Sequence, residues 1–125
     1  MTIHATLRYD DADGAIAFLT GALGLVEQDI YRDDTGRVSH GGLSHEGDLV
    51  MIGTRSDPPG PFDTGRASLY LAVDDVDAHH AKAVAAGAAV IMELVDQPYG
   101  SREYAVTDPE GNVWSVGTYR PAVEE

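Results

Sequence analysis

Few side chains in this 125-residue chain are equipped for chemistry. With no cysteine, thiolate nucleophiles, thiolate metal sites and disulfides are all excluded. The histidines are His4, His40, His45, His79 and His80. Neighbours such as His79 and His80 diverge by about 100° on a helix and do not converge on one ion. His40 is expected on the core side of its strand and His45 in a turn, each solvated or locally hydrogen-bonded. No serine has an evident His-Asp pair beside it, so acyl transfer has little support. GDLVMIGTR and GALGL lack the pattern and context of a phosphate-binding loop. Glu103 and Arg8 remain, and they would either neutralise each other across a sheet or recognise a charged ligand. In DPEGNVWSVG, Asp108 to Gly117, a turn runs into a strand that carries Ser115.

The charge balance limits the partners. A net charge of −13 disfavours nucleic acid, whose phosphates call for a Lys/Arg surface. The same acidity either serves solubility or draws cationic partners and small basic molecules. No apolar run approaches the length of a membrane span, and MTIHATLRYDD has no basic-then-apolar signal pattern. Together with the absent cysteines, this leads us to expect a cytoplasmic protein.

An internal repeat positions these residues. A shift of 64 places Leu7 on Leu71, Asp10-Asp11 on Asp74-Asp75, Ala17 on Ala81, Gly36 on Gly100 and Glu46-Gly47 on Glu110-Gly111. We read one unit over 1–125, made of two modules at about 1–56 and 66–121, with the Pro/Gly linker Arg55 to Gly65 between them. IHATLRY and SLYLAV alternate with period two, the mark of a strand with one face on a core. In the first, Ile3, Ala5, Leu7 and Tyr9 share the core face. The aspartate pairs suit helix caps. The helices that follow offer Ala15, Phe18, Leu19, Ala22 and Leu23 in the first half, and Val76, Ala83, Val84 with a closing Gly87 in the second. Three strands complete each half: LVEQDIY, RVSHGGLS and DLVMIGT, then AVIMELV, SREYAVT and NVWSVGTY. The topology is βαβββ, twice. Trp114 is taken as core.

HATLRYDDADGAIAFLTGALGL, LAVDDVDAHHAKAVAAGAAV and YGSREYAVTDPEGNVWSVGTY, in this order and spacing, resemble the vicinal oxygen chelate superfamily of glyoxalases, extradiol dioxygenases and bleomycin-resistance proteins. The resemblance implies an α+β fold in which tandem βαβββ modules form a curved mixed sheet, a cup with helices packed outside. It further implies a homodimer whose cups are completed across the interface. Metalloenzymes of the family draw four ligands from positions that correspond here to His4, Met51, Ser68 and Ser115. Among these only His4 is a competent ligand for a hard or borderline ion. We therefore expect no metal and no cofactor.

The expected cup lining is His4, Thr6, Arg8, Ser39, Gly41, Leu43, Met51, Gly53, Ser68, Tyr70, Ala72, Glu103, Ala105, Thr107, Val113, Ser115 and Gly117. Mixed apolar and polar groups of this kind suit a small-molecule pocket. Tyr99 and Arg102, in the loop DQPYGSRE, are expected at its mouth. The ligand-binding candidates are thus His4, Thr6, Arg8, Met51, Ser68, Tyr70, Tyr99, Arg102, Glu103, Thr107 and Ser115. The leading expectation is a metal-free protein that sequesters or carries a cationic or aromatic small molecule. The alternative is a lyase, isomerase or dioxygenase using His4 and Glu103.

Overall fold

The structure, a computed structural model, describes residues 2–122; residue 1 and residues 123–125 of the expected unit lie outside it. In each half a strand runs into an aspartate pair, and the second aspartate starts a helix. β1 (Thr6–Tyr9) leads to α1 (Ala12–Gly21), where the Asp11 carboxylate accepts from the Gly14 N–H at 2.9 Å. β5 (Ser68–Ala72) leads to α2 (Val76–Ala85), where Asp75 does the same for Ala78 at 3.0 Å. These caps satisfy N–H groups that a helix leaves unpaired at its start. Gly87, at φ 87°, takes the left-handed position just past α2.

The remaining strands are β2 (Val26–Arg32), β3 (Val38–His45), β4 (Asp48–Thr54), β6 (Ala89–Asp96), β7 (Arg102–Thr107) and β8 (Val113–Gly117). They form two four-stranded mixed sheets, ordered β1-β4-β3-β2 and β5-β8-β7-β6. β1 pairs β4 in parallel, β5 pairs β8 in parallel, and the other pairs are antiparallel. The α+β element order read from the sequence holds. β1 is shorter than expected, and Ile3, expected on the core face, is 98% exposed outside the ladder.

The helix-side faces of both sheets share one core with the helices. Leu7, Tyr9, Ile52, Leu71, Tyr104, Val106, Trp114 and Val116 supply the strand side, and Ala15, Ile16, Leu19 and Leu23 the first-helix side. On α2 the expected stripe needs correcting, because Val84 is 48% exposed. The sheet-facing stripe is buried Val76 and Ala83 with half-buried His79 and His80, spaced i, i+3, i+4 and i+7, so both histidines turn toward the sheet. His80 meets the Tyr104 ring edge-on at 5.0 Å and bonds Glu93 at 3.0 Å. His79 Nε2 donates to Leu23 O at 2.8 Å, and its Nδ1 accepts from the Tyr104 hydroxyl at 2.5 Å.

One register difference separates the halves. In the second, Tyr104 faces Val116 and Ala105 faces Ser115; in the first, Gly41 faces Ile52 and Gly42 faces Met51. A shift of 64 carries Ile52 to Val116, but Gly41 reaches Tyr104 with a shift of only 63. Two compensating changes cause this. The β2–β3 ladder pairs Arg32 with Val38 but Tyr31 with His40, leaving Ser39 as an extra bulge residue. The following hairpin then has one residue fewer, with only Glu46 and Gly47 between the paired His45 and Asp48, both at positive φ. A one-residue slip exchanges the faces of a strand. Gly41 and Leu43, expected on the cup side, therefore face the helices; Leu43 is buried, and a Cβ on Gly41 would meet Ile30 Cδ1 at 2.6 Å.

Asp108 ties the halves together. Its carboxylate, 4% exposed, accepts from Tyr9 Oη at 2.5 Å, Trp114 Nε1 at 3.1 Å and Asn112 Nδ2 at 3.1 Å, and from the N–H groups of Glu110 and Asn112 at 3.0 Å each. Asn112 Oδ1 in turn accepts from Ala67 N at 2.8 Å. Burial, and then the bond to Asp108, push the Tyr9 phenol upward, so it remains a donor at any physiological pH. At the other end of the contact His45 Nε2 donates to Ala72 O at 2.7 Å.

Removing a buried acceptor strands all its donors, which costs about 3–5 kcal/mol when the group was charged. Asp108→Ala is accordingly expected to lose at least about 3 kcal/mol in urea unfolding, with Tyr9→Phe losing about 1 kcal/mol. A loss below about 1 kcal/mol for Asp108→Ala would show that the junction is not held this way. A second prediction concerns pH. Burial depresses the folded pKa of His79 below its ordinary value of 6.5. Below that value the unfolded chain takes up a proton that the folded chain refuses, so stability is complete above pH 6.5 and falls as pH drops toward the folded pKa. The urea midpoint should decline between pH 7.5 and 5.5, and less steeply in His79→Gln. Equal slopes in the two proteins would count against the assignment.

Candidate ligand-binding site

In a strand with one face committed to the core, alternate residues point the other way. In the second sheet this rule sends Tyr70, Glu103, Ala105 and Ser115 to the cup side. Tyr70 lies directly opposite Ser115, Ser115 opposite Ala105, and Glu103 opposite Gly117. An open hollow of about 570 Å³ lies here, lined by Tyr70, Tyr99, Glu103, Ser115, Tyr119 and Pro121.

Glu103 forms its floor. The residue is 6% exposed, and its oxygens accept from Tyr99 Oη at 2.6 Å and Ser101 Oγ at 3.0 Å. The bond to Glu103, with burial second, pushes the Tyr99 phenol up to about 12, so Tyr99 donates at neutral pH. Ser101, itself buried, also accepts from the Tyr119 N–H at 3.0 Å, fixing the chain beyond β8 against the loop before β7. The Tyr70 phenol is likewise raised, burial being the main cause. Gly117 makes the close approach possible, since a Cβ there would lie 2.5 Å from Glu103 Cγ and 2.6 Å from the Tyr70 hydroxyl.

The three tyrosines form a corner. The Tyr119 ring stands at 72° to Tyr70 with centroids 6.4 Å apart, and at 79° to Tyr99 with centroids 6.0 Å apart. All three remain substantially exposed. Tyr119 is absent from the sequence-based candidates, yet the parity that selects Val113, Ser115 and Gly117 continues to it.

The other candidates are distributed differently. Thr107 is on the same face, but four residues along β7 from Glu103, about 13 Å at the rise of a strand. Ser68 is exposed, opposite Val113. Arg102, expected at the cup mouth, turns instead to the helix side, as its place beside Glu103 requires. There it pairs with Asp77 at 3.0 Å and Asp96 at 3.2 Å. Thr6 and Met51 are neighbours on the first sheet. Arg8 does not reach Glu103; it lies 3.6 Å from Asp63 and 5.8 Å from the Phe62 ring centroid, held by the linker of its own half. Of the two readings of Arg8 and Glu103, neutralisation of one by the other does not occur within the chain.

His4 uses both ring nitrogens locally, on Leu49 O at 2.8 Å and Thr2 Oγ1 at 2.7 Å. The other three corresponding positions, Met51, Ser68 and Ser115, offer a thioether and two neutral hydroxyls, donors that bind Zn²⁺, Mg²⁺ or Fe²⁺ poorly. Among the described residues no three His, Asp or Glu side chains form a group able to hold an ion. The donor set does not fit a divalent metal.

Comparisons with known proteins agree with this architecture. A model of the Glyoxalase/Bleomycin resistance protein/Dioxygenase superfamily matches residues 2–116. An uncharacterized protein of Mycobacterium bovis is 35% identical over 116 residues, which is 86% of this chain and 76% of that one. TioX from Micromonospora sp. ML1 has a crystal structure that superposes with a TM-score of 0.80 at 28% identity, covering 99% of this chain and 100% of its own. Lactoylglutathione lyase from Agrobacterium tumefaciens shares the fold, with a TM-score of 0.71 at 23% identity, covering 94% of this chain and 92% of its own. The β-α-β-β-β halves, their sheet order and these matches lead to one conclusion: the chain belongs to the Glyoxalase/Bleomycin resistance protein/Dioxygenase superfamily.

Proposed function

We propose that this chain is a metal-free small-molecule-binding protein that sequesters or carries its ligand in the cytoplasm, in the manner of a drug-binding resistance protein. The observation that carries the reading is that Met51, Ser68 and Ser115 stand at the positions where the family's metal donors are expected, Ser115 lining a hollow walled with tyrosine. Such a surface binds by burial and orientation instead of Lewis-acid activation. The ligand is cationic or aromatic, in keeping with the −13 charge and the exposed rings. No helix of the described residues is long and apolar enough to cross a membrane, and the acidity disfavours nucleic acid.

The working form is a homodimer. The hollow at Tyr70 is open and lined by second-half residues alone, while Thr6 and His4 of the first half are exposed. A second copy would close each cup by adding its complementary half, which supports a symmetric pair. A catalytic alternative, with His4 and Glu103 as proton carriers, draws support from the glyoxalases and dioxygenases within the family. It requires the two residues to meet around one substrate, although Glu103 stands on β7 of one sheet and His4 just before β1 of the other.

Three measurements test the proposal. A thermal-shift screen of basic, aromatic and peptidic compounds should find ligands that raise Tm by several degrees, and their complete absence would sink the binding role. Metal analysis of the purified protein should find less than stoichiometric Zn, Ni, Mn or Fe. A stoichiometric ion lost in His4→Ala would transfer the case to the catalytic reading. Sedimentation at micromolar concentration should show a dimer, whereas a monomer alone would contradict the shared cup.

A further inference from the structure

The chemistry of the Tyr70 hollow is more specific than that of a general pocket. Carboxylates are seldom buried without a cationic partner, because losing water is costly to the charge. Glu103 is buried with two hydroxyl donors and no cation. Among the described residues the arginines nearest in sequence or fold are paired elsewhere: Arg102 with Asp77 and Asp96, Arg120 with Glu46 and Asp74, Arg8 with Asp63. The negative charge therefore points at the hollow uncompensated by the chain. Around it stand three tyrosines: the Tyr99 hydroxyl is held by Glu103, the Tyr119 backbone N–H by Ser101, and the Tyr119 ring packs against the other two.

Ring geometry separates two classes of occupant. A flat aromatic ligand wants two parallel faces about 7 Å apart, twice the ordinary contact distance. Tyr119 stands nearly perpendicular to both neighbours, so it forms a corner with each and a parallel pair with neither. A corner of electron-rich rings over a carboxylate suits a compact cation, held by the ring faces and by the buried charge. A methylated ammonium fits best. Each Glu103 oxygen already accepts one hydroxyl and the residue is only 6% exposed, which restricts direct hydrogen bonding to a primary ammonium; one whose hydrogens are replaced by methyl groups needs only the field and apolar contact.

We propose that Tyr70, Tyr99, Tyr119 and Glu103 form a cation box that recognises a methylated or quaternary ammonium group on the ligand. This deepens the binding-protein reading and rests on it.

The test compares choline and tetramethylammonium with 3,3-dimethylbutan-1-ol, which has the shape of choline without its charge, by calorimetry on the purified dimer or monomer as obtained. Choline and tetramethylammonium should bind, and the neutral alcohol should bind at least tenfold more weakly. Tyr119→Ala, at a half-exposed position that the fold does not need, should weaken choline at least tenfold, while Tyr119→Phe stays within about threefold. Glu103→Gln should also cost tenfold or more. Equal binding of choline and the alcohol, or unchanged choline affinity in both Tyr119→Ala and Glu103→Gln, would overturn the box. If neither ammonium binds but a neutral aromatic compound from the screen does, the box fails and the binding role survives. If nothing binds, both fail.

Discussion

A single carboxylate, Asp108, sits where the two halves meet, and the orientation of both sheets depends on how it is satisfied. Removing a charge from water is tolerable only when donors surround it. Here the donors come from Tyr9 at the end of β1, from Asn112 and two backbone N–H groups of the last hairpin, and from Trp114 on β8. Tyr9 and Trp114 can reach the same atom only if both point into the shared core. That requirement fixes the parity of β1 and β8, and through their ladders the parity of each sheet. Once the helix-side residues are committed, the opposite faces are the only surfaces left on which Tyr70, Glu103 and Ser115 can stand. The site is a consequence of the core.

This is why so much was legible in the sequence. Period-two alternation in SLYLAV and NVWSVGTY is itself the record of one buried face, so the strands and most cup-side residues of the second half follow from it directly. The aspartate pairs announce the helices because capping is a local interaction. What stayed hidden was a pair of changes that cancel. The bulge at Ser39 adds a residue, the Glu46-Gly47 hairpin removes one, and an ungapped repeat spans both without a visible break. Between them Gly41 and Leu43 exchange faces. Hydrophobicity held the clue, since Leu43 on a cup face would leave a leucine for water where the core wanted one. The α2 histidines lie outside the cup and are locally hydrogen-bonded, and the spacing from Val76 to Ala83 already turns His79 and His80 toward the sheet. Side-chain pairings such as Arg8 with Asp63, or Arg102 with Asp77, depend on which loop lies beside which strand, and alternation alone carries no such information.

The arrangement of charge follows from scarcity. The chain has 8 Lys and Arg residues for 21 Asp and Glu, so most carboxylates have no cation to meet. On the surface this matters little, because water and salt screen them. Asp10 and Asp13 illustrate the ordinary case, exposed and paired at the surface with Arg55 and Arg32. Glu103 is different because it has left the solvent. Its hydroxyl partners, Tyr99 and Ser101, stabilise the charge by hydrogen bonding without cancelling it.

The same contrast bears on how a fold used by metalloenzymes is put to a different purpose. A divalent ion in such a cup supplies concentrated positive charge and attracts the oxygens of an anionic or polarised substrate. In this chain the corresponding positions carry no charge beyond that available to His4, and the nearest buried ionisable side chain of the second sheet is an acid. On the binding-protein reading proposed above, the sign of the field in the cup is reversed. Groups that a metal would draw in, such as carboxylates and enolates, meet Glu103 and are repelled, whereas cations and electron-poor apolar groups are favoured by the carboxylate and by the tyrosine faces alike. Gly117 lets Glu103 and Tyr70 approach, and the bond from Tyr99 holds the acid in place, so the reversal is built into the backbone and not left to one mobile side chain. On that reading, a ligand for this cup is selected by the charge of Glu103 and the tyrosine faces as much as by the shape of the walls.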